Sequence, residues 1–382
     1  MKRLRCPLCF FAAALLFFPC AIGWGEEGCS NRELTARETP VWRQTYQDAW
    51  GRSVQVDCEI LLPNVNAVPV LTAQAAAPVG EPRRSQLAAY FTPPAGTDLD
   101  YSFRSTDYSF ALSFANPGVW NEGRGETPGR VGQSTQSLLQ FDWNRAYADQ
   151  NPLTVAQAAD TVREKVRLLY PEADVQVMEI GLFDRLRVKK TGEYLREKGN
   201  YLLRCRQSIG GVPILANIEE AYRHLPSDMP MASVHNSNLG MVRAEIYDEN
   251  AYSISGRLLE ITGELRQDTL ILPFEAVKPQ IEALIAAGHV RRVYSGGLGY
   301  VRCSAGPEAL NSYVLAPAWV FWCDYYENPG DKPPDTENIV NGTGLYFEQW
   351  PYLPLLIDAQ TGALFDPLTS DCGLTVYSGG LK

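Results

Sequence analysis

The chain has 382 residues, of which 45% are hydrophobic and 20% are charged, and its formal net charge is −10. This composition is typical of a globular protein with a sizeable core, and the length corresponds to roughly two to three domains of about 150 residues. The acidic balance argues against nucleic acid and against a bare anionic membrane surface as binding partners.

The first 23 residues have the features of a cleaved signal peptide. A basic start at Lys2, Arg3 and Arg5 precedes an apolar run at 10–22. Ala21 and Gly23 provide the small residues that a signal peptidase recognises before its cleavage site. The run is shorter than the roughly 20 residues of a membrane-spanning helix. We therefore expect an exported protein, secreted or held at the cell surface, whose mature chain keeps 31 basic residues against 44 acidic ones.

A lipoprotein signal is a variant of this interpretation, in which Cys20 or Cys29 would carry the lipid. The pattern requires a small residue before the cysteine, and Pro19 precedes Cys20. Gly28 precedes Cys29, but two glutamates stand upstream where an apolar run is required. Whether either cysteine is lipidated stays open.

The N-terminal third of the mature chain predicts β-structure. Residues 24–40 are polar and without periodicity, which is typical of a flexible leader. Within a β-rich region at 41–150, hairpins are predicted at 41–62 and 101–114 from alternating apolar and polar residues. The stretch 116–133 is rich in Gly, Pro and Asn and predicts a long exposed loop.

The clearest helix follows this region. Thr154 is a candidate N-cap, and apolar residues recur at helical spacing from Val155 to Leu169, before Pro171. Strands are predicted after it, up to residue 215. This segment predicts one helix packed on strands.

A second helix is predicted from residue 274 to a stop at Gly288, although Pro279 interrupts it and favours a later start or a kink. More strands follow. The order of helix and strands thus occurs twice, and we predict an α+β fold with two units, each a helix on a curled antiparallel sheet of cystatin-like type. The predicted units are 151–250 and 251–382.

The second unit contains three apolar runs between residues 298 and 364 that predict an antiparallel sheet closed by a hairpin at 358–362. Cys303 and Cys323 lie on two consecutive strands, and neighbouring strands bring Cβ atoms within about 5 Å, which favours a disulfide. Six cysteines remain after signal removal, an even count typical of disulfides in exported chains. The alternative is that both are buried thiols that pack as small apolar groups.

One predicted strand, at 313–326, carries aromatic rings on both faces. It is either buried on both sides or presents one face as a binding surface for a peptide, a glycan or a partner. The candidate surface residues are Trp319, Phe321, Trp322, Tyr325 and Tyr326.

Patterns for catalysis or metal binding are missing from the sequence. The three histidines, His224, His235 and His289, are not in ligand spacing, and the chain has no Gly-x-Ser-x-Gly elbow. Its glycine clusters lack the Lys-Ser/Thr of a phosphate loop. We therefore predict no catalytic residue, no metal and no cofactor.

Two short motifs, at 315–319 (LAPAW) and 356–362 (LIDAQTG), resemble the PepSY-like and YycI-like extracytoplasmic domains of Gram-positive bacteria. The run at 201–213 is similar to their central strand pair, and the mature chain looks like a clostridial family of exported, often lipid-anchored proteins. The resemblance covers 150–365, and the insertion at 327–344 departs from it. It implies a non-catalytic role: YycI-like proteins regulate sensor kinases, and PepSY domains are thought to restrain peptidases.

We therefore expect an exported non-catalytic binding or regulatory protein at the outer face of a Gram-positive cell envelope. Its partner would be a protein or peptide, with membrane contact only through a lipid anchor or that partner. The alternative is a cell-envelope hydrolase that uses dispersed carboxylates. A hydrolase would require a polar cleft with at least two convergent carboxylates of perturbed pKa.

Overall fold

The computed structural model describes the chain in segments, and the predictions at 1–40, 116–133 and 327–344 lie outside them. The described residues are 41–80, 85, 100–106, 109–115, 142–147, 153–188, 194–217, 239–247, 252–304, 312–325 and 353–365.

Strands dominate these segments, and all fifteen belong to one mixed sheet. Their bounds are β1 (Val41–Gln47), β2 (Ser53–Leu61), β3 (Ala67–Ala75), β4 (Asp100–Thr106), β5 (Ser109–Ala115), β6 (Asp174–Val188), β7 (Tyr194–Ile209), β8 (Val212–Asn217), β9 (Met241–Ile246), β10 (Tyr252–Arg257), β11 (Leu259–Leu270), β12 (Val290–Ser304), β13 (Ser312–Tyr325), β14 (Leu353–Asp358) and β15 (Leu364–Phe365).

Helix α1 (Val155–Leu169) begins where the sequence predicts. The Thr154 hydroxyl accepts a hydrogen bond from the backbone N–H of Gln157 at 3.2 Å, and the Gln157 side chain accepts one from the Thr154 N–H at 2.8 Å. This reciprocal capping box satisfies two backbone donors that the helix itself leaves unpaired. The predicted first helix and its cap are confirmed.

Helix α2 (Phe274–Ala286) contains Pro279 and begins at Phe274, so the later start that the proline suggested is wrong. At its end, the N–H of Gly288 bonds to the Ile285 carbonyl and that of His289 bonds to the Leu284 carbonyl. Gly288 has φ 72, the left-handed conformation that such a helix ending requires. The predicted stop is confirmed.

The predicted fold of two α+β units is wrong, because strands that are distant in the sequence pair within a single sheet. The main strand order is β11-β3-β13-β12-β8-β7-β9-β10-β5-β4. β12 pairs in parallel with both β2 and β8, which joins the regions that the sequence pattern separated. Hydrophobic periodicity reports which face of a strand is buried and not which strand lies beside it, so these long-range pairings were not predictable from it.

The two helices α1 and α2 of the described segments lie over separate apolar cores. The core under α1 includes residues of β5, β6, β7, β9 and β10, whereas the core under α2 includes residues of β1, β2, β12, β13 and β14. We call the strands β4–β7, β9 and β10 the α1 half, and the strands β1, β2 and β12–β15 the α2 half.

The predicted disulfide between Cys303 and Cys323 is also wrong. Cys303 lies opposite Val314 and Cys323 lies opposite Val293 on the β12–β13 ladder. The two positions are nine residues apart along β13, roughly 30 Å at about 3.3 Å per residue. All four cysteines of the described segments, including Cys58 and Cys205, are buried thiols, which confirms the packing alternative for Cys303 and Cys323.

Candidate binding face

The aromatic surface predicted on β13 is part of the core. Trp319 and Phe321 are buried under α2, and the Trp319 Nε1 donates a hydrogen bond to the Leu272 carbonyl at 3.0 Å. Trp322 is half-buried against a separate apolar cluster on the other side of the strand. The strand is therefore buried on both sides, and the surface interpretation is wrong for Trp319 and Phe321.

The structure does not test the last two candidate aromatic residues, Tyr325 and Tyr326. Tyr325 ends β13 but its side chain is not described, and Tyr326 lies outside the described segments. They stay predictions.

A polar surface lies instead in the α1 half, on the side of the sheet opposite α1. Successive side chains of a strand point to opposite faces. In β9, Val242 and Ile246 are buried in the core under α1, so Arg243 and Glu245 project from the other side. β7 follows the same alternation, with Leu203 in the core and Arg204 opposite.

The strand register aligns these outward residues in three rows. The longest row crosses six strands and consists of Glu179, Arg204, Arg243, Ser255, Ala111 and Arg104. The two flanking rows consist of Gln176, Arg206, Met241 and Arg257 on one side, and of Gly181, Leu202, Glu245 and Ser253 on the other. We call these three rows the arginine face.

The arginine face has the opposite charge to the chain as a whole. Its rows hold five arginines and two glutamates, on a chain whose net charge is −10. Arg204 and Arg206 are buried, so the arginines that solvent reaches are Arg104, Arg243 and Arg257. Asp174, at the border of this face, is paired with Arg167 at 2.9 Å. Opposite charges attract, so these arginines favour an anionic partner on a chain that is otherwise acidic.

The β6 end of the face is buried. A register shift between Val177 and Glu179 places the Glu179 carboxylate 3.7 Å from the Arg204 guanidinium. Glu179 Oε2 is buried and accepts no hydrogen bond from the described residues. Burial raises the pKa of Glu179 to about 7, although the positive charges of Arg204 and Arg206 act to lower it.

The middle of the face is held by hydrogen bonds. Arg243 Nη2 lies 3.1 Å from Glu245 Oε1, and the Tyr247 hydroxyl donates to Glu245 Oε2 at 2.7 Å. The carboxylate therefore fixes the guanidinium from one side. A guanidinium that is already oriented loses less conformational entropy when it binds a second anion.

The β4 end of the face is open to solvent. Arg104 and Ser255 are exposed, and Ala111 between them is half-buried. The short side chains of Ser255 and Ala111 do not project far from the sheet between Arg243 and Arg104. A bound segment could therefore reach both arginines.

Sequence reasoning missed this face although part of its signal was visible. Strands were predicted after the first helix up to residue 215, and within them Arg204 and Arg206 alternate with the apolar Cys205. Alternation shows that Arg204 and Arg206 share a face, but only the register of six strands brings them beside Arg243 and Arg104.

Metal binding has no candidate in the part of the chain that the structure describes, where no group of three or more His, Cys, Asp or Glu side chains could hold an ion. His289 lies just after α2, and His224 and His235 are outside the described segments. Neither helix of these segments has the length and apolar character needed to cross a bilayer.

Comparison with known proteins adds a structural similarity. No protein-family model and no curated protein matches the chain. The chain is similar to an uncharacterized protein from Eubacterium rectale ATCC 33656, known from a crystal structure, at 14% identity and a TM-score of 0.48. The match covers 82% of this chain and 90% of that one. It does not bear on the PepSY-like resemblance.

Proposed function

We propose that the protein is an exported, non-catalytic binding or regulatory protein at the outer face of a Gram-positive cell envelope, and that a protein partner docks on its arginine face. The observation that carries the proposal is that Arg243 and Arg104 lie in one row across the α1 half, with the exposed Ser255 between them. The signal-like N-terminus supports export.

The composition of the face supports a protein partner. Arginine and tyrosine are enriched among the residues that dominate the energy of protein–protein interfaces. The half-buried Arg243 is held in place by Glu245 and so is available as such a residue. The exposed Arg104 and Ser255 extend this surface towards solvent.

Among the residues that the structure describes, the surroundings of Glu179 favour binding over the alternative of hydrolysis. A carboxyl group with a pKa of about 7 has the property that a general acid requires. A hydrolase would also need a second carboxylate that converges on it. The groups that act on Glu179 are Arg204 and Arg206, and Glu245 lies two strands away, roughly 10 Å across the sheet.

Site-specific cross-linking tests this proposal. A photo-reactive amino acid would replace the exposed Ser255 in one variant and Arg43 in the control, whose side chain is 74% exposed on β1. In isolated native envelope, we expect a discrete cross-linked protein with the Ser255 variant and none with the control. Equal cross-linking by both variants, or none by either, would contradict docking on the arginine face.

A further inference from the structure

We infer that the partner segment bound by the arginine face is an acidic stretch of protein that presents Asp or Glu side chains to Arg104 and Arg243. This inference rests on the proposed function and adds the chemistry of the ligand.

Charge complementarity is the first argument. Three arginines of the face, Arg104, Arg243 and Arg257, are exposed or half-buried, whereas the chain as a whole carries 44 acidic against 34 basic residues. Guanidinium groups bind carboxylates through paired, charge-assisted hydrogen bonds that are stronger than neutral ones. Over distances shorter than the Debye length, the positive charge of these arginines also raises the rate at which an acidic segment associates with this side of the molecule.

Spacing is the second argument. β9 and β4 are separated by β10 and β5, so Arg243 and Arg104 lie three strand spacings apart, about 14 Å. Side chains on one face of an extended peptide repeat about every 6.7 Å. Carboxylates four residues apart in an extended segment are therefore spaced to reach both arginines across the low surface at Ser255 and Ala111.

The mixed charge of the face distinguishes between two kinds of anion. A uniform phosphate polymer that crossed the rows would meet Glu179 and Glu245 as like charges. A protein segment can place a polar or basic residue at those positions and acidic residues at the arginines. Interspersed charges of both signs thus favour a protein segment over a polyphosphate-like polymer.

Binding of defined probes tests the inference. The probes are a fluorescent 12-residue peptide of alternating Glu and Ser, the same peptide with Gln in place of Glu, and inorganic polyphosphate. They are titrated into the full mature chain at low and physiological salt. We expect the Glu peptide to bind best, the Gln peptide to bind at least tenfold more weakly, and the Glu peptide to weaken as salt rises.

Matched variants locate the site. Arg104→Gln and Arg243→Gln should each weaken binding of the Glu peptide roughly three- to tenfold, because each removes one guanidinium contact. Arg43→Gln makes the same substitution on β1 and should leave binding unchanged. Circular dichroism establishes that each variant is folded, and Arg104→Gln changes an exposed side chain that no core contains.

Three results would overturn the inference. These are equal binding of the Glu and Gln peptides, tighter binding of polyphosphate than of the Glu peptide, and an equal loss in Arg43→Gln. A discrete cross-link from Ser255 together with no Glu-peptide binding would remove the acidic ligand and leave the proposed docking face intact.

Discussion

The two halves of the sheet both carry a helix on one side, but they differ in what they place on the other side. In the α2 half, Trp319 and Phe321 pack under α2, while Val320 belongs to a second apolar cluster on the opposite side. In the α1 half, the side opposite α1 carries Arg243 and Arg104 in register. β13 in the α2 half is therefore buried on both sides, whereas the α1 half keeps exposed and half-buried arginines on one side, where we propose that a partner docks.

Truncation in the α2 half should have the largest effect on stability. Trp319 is buried, stacks beside Phe321 at 6.4 Å, and bonds to the Leu272 carbonyl. We expect Trp319→Ala to lower the free energy of unfolding by about 3–5 kcal/mol, because it leaves a large cavity. The half-buried Trp322→Ala should cost less, as measured by urea denaturation. Equal costs would contradict the buried position of Trp319.

Titration of Glu179 in the α1 half should give the next effect. Its folded pKa of about 7 lies above the ordinary value of 4.5, so its contribution to stability is complete at low pH and is lost as the pH rises through 7. Relative to Glu179→Gln, the wild-type free energy of unfolding should fall by up to about 3 kcal/mol between pH 4 and pH 8.

Denaturation of both proteins at several pH values measures this difference. The charge pair with Arg204 forms only when Glu179 is ionised, so its contribution is already part of the folded pKa, and the Gln variant does not titrate at this position. The change of the difference with pH is therefore the readout. Parallel pH profiles for the two proteins would contradict the burial of Glu179.

A smaller effect is expected where the β1–β2 turn meets the end of α2. Gly51 and Gly288 both have φ 72, but an added Cβ at Gly51 would meet nothing, whereas at Gly288 it would meet the Trp50 ring. We expect Gly51→Ala to cost about 1–2 kcal/mol from backbone conformation alone, and Gly288→Ala to cost more. Thermal unfolding measures both, and a lower cost at Gly288 would contradict the contact with Trp50.

The smallest effect on stability should come from the arginine face itself. Arg104 is exposed, and we expect Arg104→Gln to change the free energy of unfolding by less than about 0.5 kcal/mol. Binding should nevertheless weaken. A large loss of stability would show that Arg104 stabilises the fold, and it would contradict the difference that we describe between the two halves.

Local structure was predictable from the sequence where a short pattern decides it. The capping box at Thr154, the alternation of Val54 and Ile60 in β2, and the stop at Gly288 each depend on neighbouring residues. The turn at Asp358 is similar, because its carboxylate accepts hydrogen bonds from the N–H groups of Gln360 and Thr361.

The pairing of distant strands was not predictable in this way. Nothing in the alternation of β12 shows that it pairs with both β2 and β8 or that Cys303 is far from Cys323. The arginine face depends on the same information. Its charges come from five arginines that are spread over 154 positions of the chain, from Arg104 to Arg257, and only hydrogen bonding between strands assembles them.

Arginine footprinting tests the central claim most directly. Phenylglyoxal modification of the mature chain, followed by mass spectrometry, is compared with and without the protein captured by the Ser255 cross-link. We predict that the partner slows modification of Arg104 and Arg243 several-fold and leaves that of Arg43 unchanged. Unchanged modification of Arg104 and Arg243 with protection of Arg43 would contradict the assignment of binding to the α1 half.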